Sequence, residues 1–264
     1  MAKDYKILKL FIPILVTIYI ILVSLVIGLI EEKVIAYWYH TLLVVVAYVL
    51  VIFATMFLIR KIYYNIFPES KKYSFTFPKM TNILGLLMIA PFYTTIMNRV
   101  YIWFYRLMGN AAIKSTHFET ISEILLFSIT AVFLTPVLEE LVFRFMTISP
   151  YKTRKGKIFS LLSISLLFGF LHFHNSYSFI ESIMDGLLYG LVFLSTRNIF
   201  YSITLHFAHN LYVSIMGILI NLNMPGLYLE DKISIIYSNN YWIAIWFIIA
   251  ILGVFLIKNA KKEK

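Results

Sequence analysis

Eight apolar stretches follow one another along this 264-residue chain, at about 7–30, 34–59, 83–104, 121–146, 158–174, 179–194, 200–220 and 241–257. Most approach or exceed the roughly 20 residues that a helix needs to cross the hydrocarbon core of a bilayer. A chain carrying so many cannot hide them all in one water-soluble core. Composition agrees, because 61% hydrophobic residues against 14% charged ones, with a mean hydropathy of +0.84, leave too little polar surface to face water. Soluble, disordered and fibrous architectures are therefore excluded. The fold class expected is all-α: a polytopic membrane helix bundle of about eight transmembrane helices, since in lipid a lone segment satisfies its backbone only as a helix. The first stretch follows Lys3 and Lys6, is too long for a signal-peptide core, and has no small-x-small cleavage site before Glu31. It reads as a retained anchor. No repeat or long linker is visible. Residues 1–120 read as about three N-terminal transmembrane helices, 121–220 as a polar-bearing helix core, and 221–264 as a last helix with a basic tail.

The loops alternate in charge. Lys3, Lys6 and Lys9, then Arg60, Lys61, Lys71, Lys72 and Lys79, then Lys152, Arg154, Lys155 and Lys157, then Arg197, and finally Lys258, Lys261, Lys262 and Lys264 hold most of the 23 basic residues. The intervening loops carry Glu31, Glu32, Glu119, Glu230 and Asp231 instead. The positive-inside rule places both termini in the cytoplasm, as an even number of spans requires. Trp38, Trp103 and Trp242 fall near span ends, where an interfacial belt belongs. The net charge of +10 is thus accounted for by membrane lipid as partner, and no basic segment sits on a foldable polar module that would bind nucleic acid. Cysteine is absent, which removes disulfides, thiol nucleophiles and Cys-ligated zinc. The Ile-, Lys-, Asn- and Tyr-rich composition suits an AT-rich bacterial genome and a multi-pass protein of the cell membrane.

A charge at bilayer depth costs a few kcal/mol and needs a reason. The first three spans carry almost none. The fourth carries Glu139, Glu140 and Arg144, the fifth His172 and His174, the sixth Glu181 and Asp185, and the seventh His206, His209 and Asn210. Glu139 and Glu140 point about 100° apart on a helix, and Arg144 shares the face of Glu140. A Glu140–Arg144 pair would leave Glu139 turned elsewhere, desolvated and able to accept a proton. Pro136, one turn earlier, removes a donor and tends to kink the helix. Phe168 and His172 share a face, and so do His206 and Asn210, with His209 able to join them. Convergence of these helices on one cavity is the expectation; the competing reading is that the charges only clamp neighbouring helices. His174 is expected at the interface, Glu181 and Asp185 as structural, and Gly186 with Gly190 as a helix-packing pair. Depth raises a difficulty. Glu139 lies roughly 10 Å from the inner end of its span and His206 roughly 9 Å, but His172 comes out nearer 21 Å if its helix starts at Ile158. Either that helix starts later and the basic loop dips inward, or it is tilted.

These stretches resemble the CPBP family, the CAAX proteases and bacteriocin-processing enzymes also called Abi. The family pattern is E-E-x-x-x-R, F-x-x-x-H and H-x-x-x-N on successive helices. Here it is matched by EELVFR (Glu139 to Arg144), FGFLH (Phe168 to His172) and HFAHN (His206 to Asn210), within a resemblance over about 121–215. The resemblance implies an intramembrane endopeptidase hydrolysing a peptide bond in a membrane-associated peptide or protein. It implies Glu139 as general base, His172 assisting it or protonating the leaving amine, and His206 with Asn210 donating to the oxyanion. Glu140, Arg144 and Phe168 then support the site. No cofactor is needed in that scheme.

Two His and a carboxylate are also an acceptable zinc set, so an alternative metalloprotease reading takes Glu139, His172 and His206 as ligands. Neutral Asn210 and the adjacent Glu pair suit zinc less well. A non-enzymatic bacteriocin-immunity or scaffold protein, and a proton-relay transporter, are readings from other classes. The transporter is weaker, because neither inverted halves nor paired broken helices are visible.

Overall fold

The computed structural model describes residues 38–108, 128–173, 176–223 and 240–262. They form seven helical runs. Helix α1, Trp38–Leu58, continues through a π-helical stretch, Ile59–Tyr63, into a last turn, Tyr64–Ile66. Helix α2 is Met80–Met108. Helix α3 is composite: a π-helical Ser128–Leu134, an α-helical Thr135–Glu139 and a π-helical Glu140–Met146. Helices α4 to α7 are Arg154–Leu171, Ser176–Thr196, Ile199–Asn223 and Asn240–Lys262. The chain is an all-α membrane helix bundle, as its apolar pattern requires. The first apolar stretch and His174 lie outside the described residues; the other seven stretches each coincide with a helix, with ends shifted by a few residues. Among the described residues Leu42–Ile66, Met80–Val100 and Ser178–Thr196 are long and apolar enough to cross a membrane, and Ile243–Ile257 is a shorter apolar run.

Many large apolar side chains are exposed and several polar ones are buried, an arrangement suited to lipid around the helices. On α1, Leu50, Phe53 and Phe57 share an exposed face, while Val44 and Thr55 are buried. The described residues divide into two compact units. The first takes α1 with the segment to Thr76, α3, α4 to His172, α5 from Ser182, and α6 to Ile203; the second takes Phe77 through α2, Phe173–Glu181, α6 from Thr204, and α7.

In the first unit the segment after α1 ties three helix ends together. The Ser149 hydroxyl donates to Ser70 at 2.7 Å in a buried contact. Ser74 bridges Asn198: its N–H donates to the Arg197 carbonyl at 2.7 Å and its carbonyl accepts from Ile199 at 3.2 Å. The Asn198 amide donates to the Thr76 carbonyl at 2.8 Å, and its oxygen accepts from Phe200 N–H at 3.0 Å, capping α6. Arg197, between α5 and α6, is left-handed, with φ 53°. Glu69 contacts Lys72 at 2.7 Å and Lys152 at 3.6 Å. The hydrogen bond from Lys72, with both ammonium charges, holds its carboxyl below the usual range. Around this seam Tyr63, Phe67, Phe145, Phe193 and Ile148 form a continuous apolar core with α3 and α4. Tyr73 stacks on Phe193 at 4.7 Å, and Phe75 meets Phe145 at 4.8 Å.

Helices α4 and α5 close on small residues, as the Gly186 and Gly190 spacing predicts. A Cβ on Gly186 would sit 2.9 Å from the Ser165 backbone, and one on Gly190 would strike Leu161. In the second unit α2 and α7 touch backbone to backbone. A Cβ on Gly85 would lie 2.6 Å from the Gly253 carbonyl oxygen, and one on Gly253 2.5 Å from that of Gly85. Neither obstacle is a flexible side-chain end, so the helices must separate to admit a side chain. Gly253→Leu is expected to cost about 1–3 kcal/mol and to lower the thermal midpoint in detergent. A wild-type midpoint would show that this contact does not form.

Candidate active site

Helix α3 carries the acidic pair on a short α-helical piece between two π-helical ones, a ladder irregularity that often marks functional sites. Pro136 lies buried at the start of that piece, where its missing N–H falls at the change of ladder. The Glu140 N–H is shared between the carbonyls of Pro136 and Val137.

The two glutamates part company, as their spacing predicts. Glu140 and Arg144 are wholly buried, with Nε 3.4 Å from Oε2. Three rings surround the guanidinium: Phe168 at 5.2 Å, Phe143 at 5.9 Å and Tyr189 at 6.0 Å. Among the described residues no hydrogen-bond acceptor meets its nitrogens. Ring faces and one carboxylate therefore balance its charge. Glu139 turns away from this pair and meets His172, Oε1 to Nε2, at 3.4 Å. The dyad reaches the surface: the His172 side chain is 38% exposed and that of Glu139 15%.

His172 caps α4 and is held from behind. Its backbone N–H donates to the Phe168 carbonyl at 3.2 Å, its Nδ1 lies 3.0 Å from the same oxygen, and its ring packs on Phe168 at 4.2 Å. A carbonyl only accepts, so Nδ1 carries a proton. Nε2 then faces the Glu139 carboxylate.

The later helix start is not what meets the depth difficulty. Helix α4 starts at Arg154, earlier than Ile158 rather than later, with Thr153 Oγ1 accepting from Gly156 N–H at 3.1 Å as its N-cap. Three contacts give the register against α3: Ser160 to the Thr147 carbonyl at 2.8 Å, Phe168 edge-on to Phe143 at 5.1 Å, and His172 to Glu139.

His206, His209 and Asn210 belong to the second unit. His206 and His209 are buried and Asn210 half-buried. His209 lies edge-on to Tyr93 at 5.4 Å. One residue in contact with the acidic pair was not expected there. Ser202 donates its hydroxyl to Glu140 Oε2. A serine within an apolar run, one helical turn before His206, was the available signal. Among the described residues no three His, Asp or Glu side chains gather at metal-binding distances. Glu139 and His172 supply two donors, whereas a catalytic zinc takes three protein ligands.

Residues 121–212, which hold all of these groups except Tyr93, match the family model of the Rce1-like proteins, described as type II CAAX prenyl endopeptidase Rce1-like. This segment resembles the Rce1-like proteins. No curated protein and no solved structure matches the chain. The Rce1-like segment supports a CAAX-type endopeptidase working in a membrane on a peptide or protein. It spans the whole acidic helix and the three motifs quoted above, in agreement with the CPBP resemblance.

Proposed function

We propose that the chain is an intramembrane endopeptidase in which Glu139 and His172 activate a water against a peptide bond of a membrane-associated peptide or protein. The observation that carries this reading is the dyad: a half-exposed imidazole, locked at Nδ1 by a carbonyl, presenting Nε2 to a carboxylate whose neighbour is sealed in a separate ion pair. In the reacting state His172 carries a proton on Nε2 and Glu139 is the ionised base. It takes a proton from water as the oxygen attacks the scissile carbonyl carbon. His172 returns a proton to the nitrogen as the C–N bond breaks, so one water is consumed and one acid and one amine are released. His206 and Asn210 take the oxyanion role that the resemblance gives them, and donors of that kind act strongly where water is excluded.

The test is peptide release in proteoliposomes. His206→Ala and Asn210→Ala are each expected to lose roughly 10²–10³-fold in rate. Hydrolysis is expected to survive exhaustive chelation of a metal-free preparation. Activity lost to chelator and restored by zinc would transfer the reading to the metalloprotease alternative, and wild-type rates in both variants would remove the oxyanion assignment.

A further inference from the structure

Glu140, Arg144, Tyr189 and Ser202 form a cluster with no exposed surface. Glu140 Oε2 meets Arg144 Nε at 3.4 Å and accepts from the Ser202 hydroxyl. That hydroxyl also lies 3.0 Å from the Tyr189 main-chain carbonyl. A hydroxyl has one proton to give, so it serves one acceptor at a time, and a carboxylate makes the stronger bond. The Arg144 contact is longer than a good hydrogen bond. Ser202 therefore supplies a hydroxyl tether on Glu140 Oε2 beside the looser Arg144 contact.

We propose that Ser202 is a positioning residue for the hydrolysis: by fixing Glu140 it sets the rotation of the Glu139–Glu140 turn, and with it the approach of Glu139 to His172. The proposal rests on the hydrolase reading above. The two glutamates share a peptide bond, so α3 cannot turn to relieve Glu140 without carrying Glu139 off the imidazole. A displacement of about 1 Å at a reacting group can cost about 10²-fold in rate. Ser202 itself touches neither water nor substrate, so its effect belongs in kcat and not in KM.

The experiment measures turnover in proteoliposomes for Ser202→Ala, Ser202→Thr, Glu140→Gln and the Ser202→Ala/Glu140→Gln double variant, with Glu139→Ala beside them. Ser202→Ala is expected to lower kcat by roughly ten- to a hundredfold with KM within about twofold. Ser202→Thr, which keeps the hydroxyl, restores most of it. The double variant falls no further than the worse single, because both changes act on the one Ser202–Glu140 contact. Should Ser202→Ala not fold, Ser202→Cys, a weak donor of similar size, carries the same comparison. Wild-type kcat in the folded Ser202 variants, or losses that multiply in the double variant, would overturn the proposal while the hydrolase reading stands. Full activity in Glu139→Ala would instead overturn the hydrolase reading, and the proposal with it.

Discussion

Glu139→Gln is expected to lower peptide hydrolysis by roughly 10³-fold or more, while the helix content and thermal midpoint stay near wild type. Gln matches Glu in size and keeps an oxygen to face His172, so the 3.4 Å contact can persist. What is lost is the ability to take a proton from water, and a positioned general base is worth roughly 10²–10⁴-fold. The site is suited to this comparison because Glu139 is the accessible member of the acidic pair. Glu140, sealed beside Arg144, is not placed to meet water. His172→Ala should fall by a similar factor, and the Glu139→Gln/His172→Ala double variant little further, since the two act as a unit. Wild-type turnover in Glu139→Gln would remove the residue from the chemistry and leave the dyad as a helix clamp.

Much of this arrangement was legible in the residues, and the reason is periodicity. The i,i+4 spacing of Glu140 and Arg144, and of Phe168 and His172, fixes a shared helix face whatever the tertiary fold, and both pairs meet. The opposite orientation of Glu139 follows from the same 100° step. Helix packing through Gly186 and Gly190 was readable because small residues four apart make a groove. What periodicity cannot supply is the crossing of one helix over another. The contact of Glu139 with His172 is a meeting of two helices, whereas hydropathy alone set the two residues about 11 Å apart in depth. The π-helical pieces either side of Glu139 have no composition of their own to betray them. Ser202 stayed hidden because an isolated serine in an apolar helix usually bonds its own backbone. Its partner lies 62 residues earlier in the chain.

Arg144→Met should be the most destabilising single change in the Rce1-like segment, and it should act through Glu140. Removing the guanidinium leaves a carboxylate with no exposed surface and without its opposite charge, still accepting from the Ser202 hydroxyl. Breaking a buried ion pair in this way costs about 3–5 kcal/mol, enough to lower the midpoint sharply and to reduce the folded yield in membranes. Met retains much of the stem volume among Phe143, Phe168 and Tyr189, so the loss reports charge more than cavity. The decisive comparison is Glu140→Gln/Arg144→Met. If the cost is an uncompensated charge, neutralising Glu140 removes it, and the double variant should regain most of the stability lost by Arg144→Met, because replacing both members of a buried pair is often nearly neutral. The amide oxygen introduced by Glu140→Gln would still offer Ser202 an acceptor, so activity should recover in part. If the double variant is as unstable as Arg144→Met alone, the guanidinium holds the fold through its three aromatic neighbours and not through Glu140, and the ion pair is incidental to the stability of α3.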